Sequence, residues 1–472
     1  MRANRMTLLC IVILLVWVFL YLFNTFTGAA EGASTIFLPT SLVVFLIFEQ
    51  RAKRPPFDLS IVFLSSCLFF FCVSLILWPL STLSPTEFSG LVITTFSWQQ
   101  LDSAAIWVGL SVAISMLTLS VVRRRCVQEE VRKLNFSELD DVHYRSLYKV
   151  SVFCIAVSLP AVIMESVQQL RFIQDAGYLA LYSDGILVST TSKVFSYLFN
   201  LGFGLTLAFA RTRVQFLAPA VLFLIVATID SLKGARGALL VPLFFVAWFY
   251  VARFNIKLKL RTILRNLVLI VAVFAAMTFW RGDGLIAGGV LQFAVDALAA
   301  QGRSLQITAL YQTIADEVAQ YGNYMVFSNL MIPFTSVIHP EIRDAAQSMD
   351  QVLYSNNLKH ILTYVLNSNY YFAGGGTGGV YIIELLEAGP VFYILLSIGL
   401  GWFLAWMPRA MRKPWVRYLS VYLFSTVFYL PRGEFFFNTL IVGKAMFLYL
   451  MIVCLYYMYK RLAHGSRTMH GA

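Results

Sequence analysis

The chain has 472 residues, of which 59% are apolar and only 13% are charged, and its mean hydropathy is +0.74. Soluble globular domains carry about twice that share of charged residues, so the composition excludes them and indicates an integral membrane protein. The net charge of +12 does not imply nucleic acid. Basic residues collect on the cytoplasmic side of membrane proteins and bind anionic lipid there.

Apolar stretches recur from one end of the chain to the other, and a hydrocarbon core is crossed by about 20 residues. They lie near 6–26, 35–48, 59–80, 102–122, 149–166, 193–210, 214–229, 237–252, 264–280, 378–408, 417–430 and 436–458. Because lipid-exposed backbone must satisfy its own hydrogen bonds, the spans are predicted to be helices. We therefore predict an all-α polytopic membrane protein with about twelve transmembrane helices. Gly389 precedes Pro390 inside 378–408, so we expect a break near Gly389.

The basic residues predict the orientation of these spans. With the N-terminus inside, most of the 36 Lys and Arg residues fall on the cytoplasmic side, and both termini are cytoplasmic. The chain then divides into nine helices with short loops (1–280), a large outer loop (281–376) and C-terminal helices (377–472). The cysteines show no paired metal spacing, so no metal and no other cofactor is predicted.

Nine basic residues on the outer side are not explained by this topology, and four of them are singled out here: Arg236, Arg281, Arg303 and Arg432. Three of them stand at span ends next to glycine, where little side chain covers the backbone, and a guanidinium group offers a forked set of donors suited to phosphate oxygens. They are candidate ligands for a diphosphate. The alternative is that they snorkel to the interface or pair with outer carboxylates, namely Asp230, Asp283 and Glu434.

Two residues are candidate proton acceptors. Glu384 lies in an apolar run, where an unpaired carboxylate is costly, and burial would raise its pKa towards the range useful to a general base. The alternative is a buried ion pair with Arg236 or Arg432 that only holds the bundle together. His339, next to Pro340, could deprotonate a hydroxyl near neutral pH or could simply be a turn residue.

Aromatic and amide side chains in the outer loop suit sugar rings, which present apolar C–H faces and hydroxyl rims. Tyr370 and Tyr371 are the candidates there. Tyrosine is also common at membrane interfaces, so the alternative is an interfacial role.

Four short motifs accompany the large outer loop: GYLALY at 177–182, KGARGA at 233–238, GGVYIIE at 378–384 and PRG at 431–433. Together they resemble the O-antigen and oligosaccharide repeat-unit polymerases, the Wzy family. The resemblance implies a GT-C-like helical bundle in a bacterial inner membrane. It further implies a metal-independent glycosyltransferase that polymerises undecaprenyl-diphosphate-linked repeat units, as donor and acceptor, on the periplasmic face.

The resemblance also implies roles for residues. Arg236 and Arg432 would contact the diphosphate, Glu384 would belong to the active site, and Tyr178 and Tyr182 in the first motif would add sugar contacts. A separate chain-length regulator is an expected partner, besides membrane lipid.

The chain departs from the family in one place: the segment from Arg281 lacks the Arg-x10-Gly pattern of some polymerases, because position 292 is Gln292. Two alternatives remain. An O-antigen ligase would use the same donor, and a lipid-linked oligosaccharide flippase or transporter would form no bond. Transporters often consist of two related halves, and the sequence shows no such internal repeat.

Overall fold

The computed structural model describes residues 2–27, 32–51, 58–84, 86–88, 94–125, 141–177, 180, 190–233, 237–254, 256, 289–343 and 347–469. In this part of the chain the architecture is helical, with one antiparallel pair of two-residue strands, β1 (Glu87–Phe88) and β2 (Thr94–Thr95). Each strand is too short to form an independent sheet. The fold is therefore a helical bundle, as the apolar spans predict.

The first half consists of long helices. They are α1 (Arg2–Thr27), α2 (Ala33–Arg51), α3 (Leu59–Cys67), α4 (Val73–Leu77), α5 (Trp98–Arg125), α6 (Asp141–Ala176), α7 (Thr190–Phe209), α8 (Arg213–Leu232) and α9 (Gly237–Phe254). A π-helical turn, Leu68–Cys72, joins α3 to α4, and a 3-10 turn, Trp78–Leu80, ends this span. Helix α5 is central, because it packs against α1, α2 and helices of the second half.

The second half begins with a series of short helices within the segment predicted as the large outer loop. They are α10 (Gly289–Ala299), a 3-10 turn (Ala300–Arg303), α11 (Ser304–Ala319), a 3-10 turn (Met325–Phe327), α12 (Ser328–Ile338), a 3-10 turn (Pro340–Arg343), α13 (Met349–Tyr354), α14 (Leu358–Leu366) and α15 (Ser368–Phe372). The outer segment is therefore largely helical where it is described.

The chain then runs through α16 (Tyr381–Glu387), α17 (Pro390–Ala410), α18 (Pro414–Tyr429), a 3-10 turn (Leu430–Arg432) and α19 (Thr439–Met469). The break predicted near Gly389 is confirmed: this glycine has a φ of +89°, and α17 begins at the following proline. Helices α11 and α17 pack extensively against α5, and α16 contacts it over a smaller area.

Nine helical segments in the described ranges are long and apolar enough to cross a membrane. They account for nine of the twelve predicted spans. Helices α7 and α18 form where spans were predicted but are not among the nine, and the predicted span 264–280 lies outside the described residues. The structure thus bears out a polytopic helical membrane protein without fixing the count at twelve.

One end of the bundle is fastened by a buried ionic cluster. Arg123, near the end of α5, donates to Glu49 at 2.7 Å and to both carboxylate oxygens of Asp58 at 2.8 Å. Nearby at the same predicted face, buried Arg417 donates to backbone carbonyls of Ala208, Met411 and Arg412, at 2.8–3.2 Å. Because these arginines meet carboxylates or carbonyls, their desolvated charges are compensated.

Candidate functional site

The turn between α18 and α19 carries the first arginine of the site. Arg432 ends the 3-10 turn Leu430–Arg432, and its Nη1 donates to Oε1 of Gln301 at 2.7 Å. Gln301 belongs to the 3-10 turn Ala300–Arg303 of the outer segment. Two regions far apart in sequence therefore meet at this side chain.

Arg303 closes the same short turn and lies close enough to Arg432 to feel its charge. Burial and then the positive charge of Arg432 lower the pKa of Arg303 below its ordinary value. The turn is wedged against α4: the Ser74 hydroxyl donates to the Gly302 carbonyl at 2.9 Å, and a Cβ on Gly302 would lie 2.4 Å from the backbone nitrogen of Ser74. Only glycine fits there, so the position of the turn that carries Arg303 is fixed against α4.

Two buried glutamates lie next to the 3-10 turn Leu430–Arg432. Glu384 is 0% exposed, and its Oε2 accepts the Phe435 backbone N–H at 2.6 Å. Glu434 is 4% exposed and accepts from the Asn329 side-chain amide. The Oε1 atom of each glutamate has no hydrogen-bond partner within the described ranges. One buried carboxyl oxygen of each glutamate therefore lacks a hydrogen bond there.

Glu384 lies outside the nine candidate spans, in the short helix α16. Burial, followed by the negative charge of Glu434, raises the pKa of the Glu384 carboxyl well above its ordinary value of 4.5. Burial disfavours the charged form of an acid, and a neighbouring carboxylate adds like-charge repulsion. The ion pair with Arg432 proposed as the structural alternative is not among the described contacts of Glu384.

Glycines allow segments of the sequence motifs to pack closely around the 3-10 turn Leu430–Arg432. Gly378 has a φ of +82°, and a Cβ on Gly379 would lie 3.0 Å from Cγ of Glu434. On the other side, a Cβ on Gly237 would lie 1.4 Å from the Tyr429 hydroxyl oxygen. The segments 237–238, 378–384 and 429–435, which belong to three of the four motifs, therefore converge.

Four of the predicted site residues lie outside the described part of the chain: Arg236, Arg281, Tyr178 and Tyr182. Gly237, the residue after Arg236, touches Tyr429, which is three residues before Arg432.

His339 stands apart from this cluster. Its ring stacks on Tyr354 with centroids 4.0 Å apart, and its Nδ1 lies 3.0 Å from a carboxylate oxygen of Glu341. Among the described contacts, none joins it to Glu384 or to either arginine. The arrangement is that of a turn residue at the end of α12, the alternative considered for it.

The predicted sugar ligands differ in exposure. Tyr371 is completely buried, its hydroxyl donates to the Ser348 carbonyl at 3.2 Å, and this hydroxyl lies 3.0 Å from Nδ1 of His360. Its ring is therefore part of the buried core of the outer segment and offers no face to a sugar, which corrects the expectation from sequence. Tyr370 is half-buried, with its ring against Gly375.

Sequence reasoning missed several residues of this region. Burial lowers the pKa of His360 to about 3, so this histidine is neutral and structural. Gln301 and Asn329 are neutral amides with no motif to mark them. Glu387 accepts the backbone N–H groups of Tyr324 and Met325, at 2.5 and 2.7 Å, and so anchors the turn that leads into α12. A signal existed only for Glu434, which directly follows the PRG motif.

In the ranges that the structure describes, no group of three or more His, Cys, Asp and Glu side chains is placed to hold a metal ion. The charged groups of the site are two guanidinium groups and two carboxyl groups. Such a set can hold a multiply charged oxyanion with forked donors and can exchange a proton beside it.

Repeated membrane-spanning helices and an arginine pair beside buried carboxyl groups define a multi-pass membrane protein with a candidate anion-binding centre. The chain matches the family model described as O-antigen polysaccharide polymerase Wzy over residues 6–461, and it belongs to that family. It is therefore a membrane polymerase of the glycosyltransferase type, for lipid-linked oligosaccharide repeat units. No curated protein and no solved structure matches it.

Proposed function

We propose that this protein polymerises undecaprenyl-diphosphate-linked oligosaccharide repeat units on the periplasmic face of the bacterial inner membrane, with both termini in the cytoplasm. The growing polymer is transferred from its lipid diphosphate to the non-reducing end of a new lipid-linked unit. The observation that carries the proposal is that Arg432, whose charge acts on Arg303, stands two residues before Glu434, whose charge acts on the buried carboxyl group of Glu384.

The leaving group explains the arginine pair. When the acceptor hydroxyl oxygen attacks the anomeric carbon of the donor, the bond between that carbon and the diphosphate oxygen breaks, and negative charge grows on the diphosphate. Arg303 and Arg432 are fixed before the substrate arrives, so they stabilise this charge at little reorganisation cost. In this proposal the guanidinium groups do the work that a divalent cation does in other diphosphate chemistry.

The acceptor hydroxyl must lose its proton as the new bond forms, and Glu384 takes it in this proposal. The raised pKa of Glu384 makes its carboxylate a stronger base than an ordinary glutamate. Its Oε1, which lacks a described hydrogen-bond partner, is the oxygen available for this. His339 lies away from this centre and is not needed for the step.

The remaining members of the site come from the family and from the sequence. Arg236 and Arg281 would complete the diphosphate contacts, and Tyr178, Tyr182 and Tyr370 would contact sugars. A chain-length regulator would be a separate protein partner.

The test is a reconstituted reaction. Purified protein in nanodiscs, given a lipid-linked repeat unit alone, should produce a ladder of products differing by one unit, with or without EDTA. Product that appears only after core lipid is added would mean a ligase, and transbilayer movement without bond formation would mean a flippase.

The matched variants are Arg432→Ala and Arg412→Ala. Each removes one positive charge, but Arg412 is an exposed side chain in the turn after α17. The ladder should fade in the first variant and persist in the second. Equal ladders in both would overturn the role of Arg432.

A further inference from the structure

A second polar region lies away from the arginine pair, in a cavity of about 320 Å³ between helices α6, α7, α8 and α9. Its lining includes charged and amide side chains: Glu165, Gln169 and Asp230 lie on helices apolar enough to cross a membrane, Asn200 lies on α7, and Lys233 directly follows α8. Ionisable groups at such depth face the bundle interior or a cavity and commonly mark a ligand pathway.

A hydrogen-bonded chain holds most of these groups in place. Lys233 Nζ donates to Asp230 at 2.5 Å and to Gln169 at 2.6 Å, and Ser166 donates to the same Asp230 oxygen at 2.8 Å. Gln169 in turn donates to Glu165 at 3.3 Å. Because these contacts link α6 to α8, the polar groups are positioned before any ligand enters.

Charge excludes a diphosphate from this cavity. Glu165 and Asp230 are carboxylates, and Lys233 supplies the balancing ammonium group for one of them. The lining named here therefore has an excess of negative charge, opposite to that of the Arg303–Arg432 pair. An oxyanion would be repelled, whereas a neutral or amino sugar with hydroxyl donors would be accepted.

Two groups have hydrogen-bonding capacity left for such a ligand. The Asn200 amide has no hydrogen-bond partner among the described residues, and the bonds that Glu165 receives from Gln169 and Ser196 are long, at 3.3 and 3.4 Å. An unpaired amide at this depth is costly unless something polar meets it. Phe199 and Phe223, which also line the cavity, provide apolar surface for the C–H face of a sugar ring.

We propose that this cavity binds one sugar ring of the repeat unit, through hydrogen bonds from Asn200 and to Glu165. The inference rests on the proposed function for the identity of the sugar. The volume is at the small end of ligand pockets, about 300–1,000 Å³, so it suits one ring rather than a whole oligosaccharide. Lys233 lines the cavity, and Gly237, four residues later in the chain, contacts Tyr429.

The test uses the repeat-unit oligosaccharide without lipid or diphosphate, titrated calorimetrically into the full-length protein in nanodiscs. Asn200→Ala and Glu165→Gln should each weaken binding about tenfold, the effect of one lost hydrogen bond to a sugar hydroxyl. Asn200→Gln should restore part of the affinity. Thr228→Ala is the matched control, because Thr228 is an exposed side chain on α8 and bonds only to its own helix at Leu224.

In the polymerisation assay the same variants should raise KM for the lipid-linked unit by a similar factor and leave kcat unchanged, the pattern of a lost ground-state contact. Arg432→Ala should bind the delipidated oligosaccharide as well as the unaltered protein does. If a ladder forms but Asn200→Ala and Glu165→Gln alter neither affinity nor KM, the sugar site is refuted and the polymerase stands. If no ladder forms but the oligosaccharide binds in an Asn200-dependent way, the site stands and the polymerase fails.

Discussion

Two groups of arginines, at opposite predicted faces of the bundle, differ in what surrounds them: Arg123 is buried, whereas Arg303 and Arg432 are half-buried. Arg123 lies between the carboxylates of Glu49 and Asp58, at 2.7 and 2.8 Å. Arg432 donates instead to the neutral amide of Gln301, and the neighbour whose charge is felt at Arg303 is Arg432 itself. The first arrangement neutralises a cation, whereas the second places two cations together.

This difference distinguishes a structural use of arginine from a functional one. Removing one member of a buried ion pair leaves an uncompensated charge, so the inner cluster is required for folding. Two adjacent guanidinium groups repel each other, and an anion relieves that repulsion. The outer pair is therefore poised for a negatively charged ligand, and the predictions below follow from this contrast.

The largest effect is expected at the carboxyl group beside the outer pair. Glu384→Gln keeps an acceptor for the Phe435 N–H but cannot take a proton, so the polymerisation rate should fall about a thousandfold, within the usual range for a general base. Initial rates of ladder formation measure this. The inner counterpart, Glu49→Gln, should leave the rate per folded molecule unchanged. A fully active Glu384→Gln protein would show that Glu384 only holds the turn.

The second comparison is between alanine substitutions of one arginine from each group. Arg432→Ala should slow polymerisation about a hundredfold, or roughly 3 kcal/mol of lost transition-state stabilisation, with little change in melting temperature. Arg123→Ala should instead cost about 3–5 kcal/mol of folding stability, because two buried carboxylates lose their partner. Thermal unfolding and single-turnover rates separate the two. A destabilised Arg432→Ala protein would place this arginine with the structural group.

A smaller loss is expected for Arg303→Ala, about tenfold in rate, because Arg432 still holds the anion and one like-charge repulsion disappears. High salt should also inhibit this variant more than the unaltered protein, since the attraction of one half-buried cation for the anion is more easily screened than that of two. A rate equal to that of Arg432→Ala would indicate that the two arginines act as one unit.

Stability against pH reports the state of Glu384. Its pKa in the folded protein is raised above 4.5, so the stability from this group is fully present below pH 4.5 and is lost as the pH rises through the folded-state pKa. The melting temperature of Glu384→Gln should therefore differ less between pH 5 and pH 8 than the melting temperature of the unaltered protein does. Glu317→Gln, an exposed change at the end of α11, is the control and should leave that difference intact.

The smallest effect is expected at His339, which is stacked on Tyr354 and paired with Glu341. His339→Ala should change the rate less than about twofold, within the range of ordinary surface substitutions. A hundredfold loss of rate, together with the loss of one limb of the pH–rate profile, would indicate that His339 acts as a general base.

The sequence predicted what depends on local composition. The apolar spans that the structure describes are helical, and the Gly389-Pro390 pair breaks the long stretch 378–408 because proline cannot continue a helix. Arg432 and Glu384 could be singled out because charged residues next to apolar runs are costly. The convergence of three glycine-containing motifs was implied only by family resemblance.

What the sequence could not predict depends on packing between distant segments. Gln301 meets Arg432 only because Gly302 fits against α4, and nothing in the local sequence of either residue signals this. In the sequence Tyr371 resembles an interfacial tyrosine, but packing against α14 and the segment at Ser348 buries its ring. The polar cavity required three separate helices to bring Glu165, Asn200 and Lys233 together.

The central claim is that the outer arginines hold a lipid diphosphate. Its most direct measurement is the affinity of undecaprenyl diphosphate for the full-length protein in nanodiscs, compared between the unaltered protein, Arg303→Ala/Arg432→Ala and the exposed control Arg412→Ala. The double variant should bind at least about a hundredfold more weakly, two lost charge-assisted contacts of about 1.5–3 kcal/mol each, while the control is unchanged. Equal affinity in all three proteins would contradict the account.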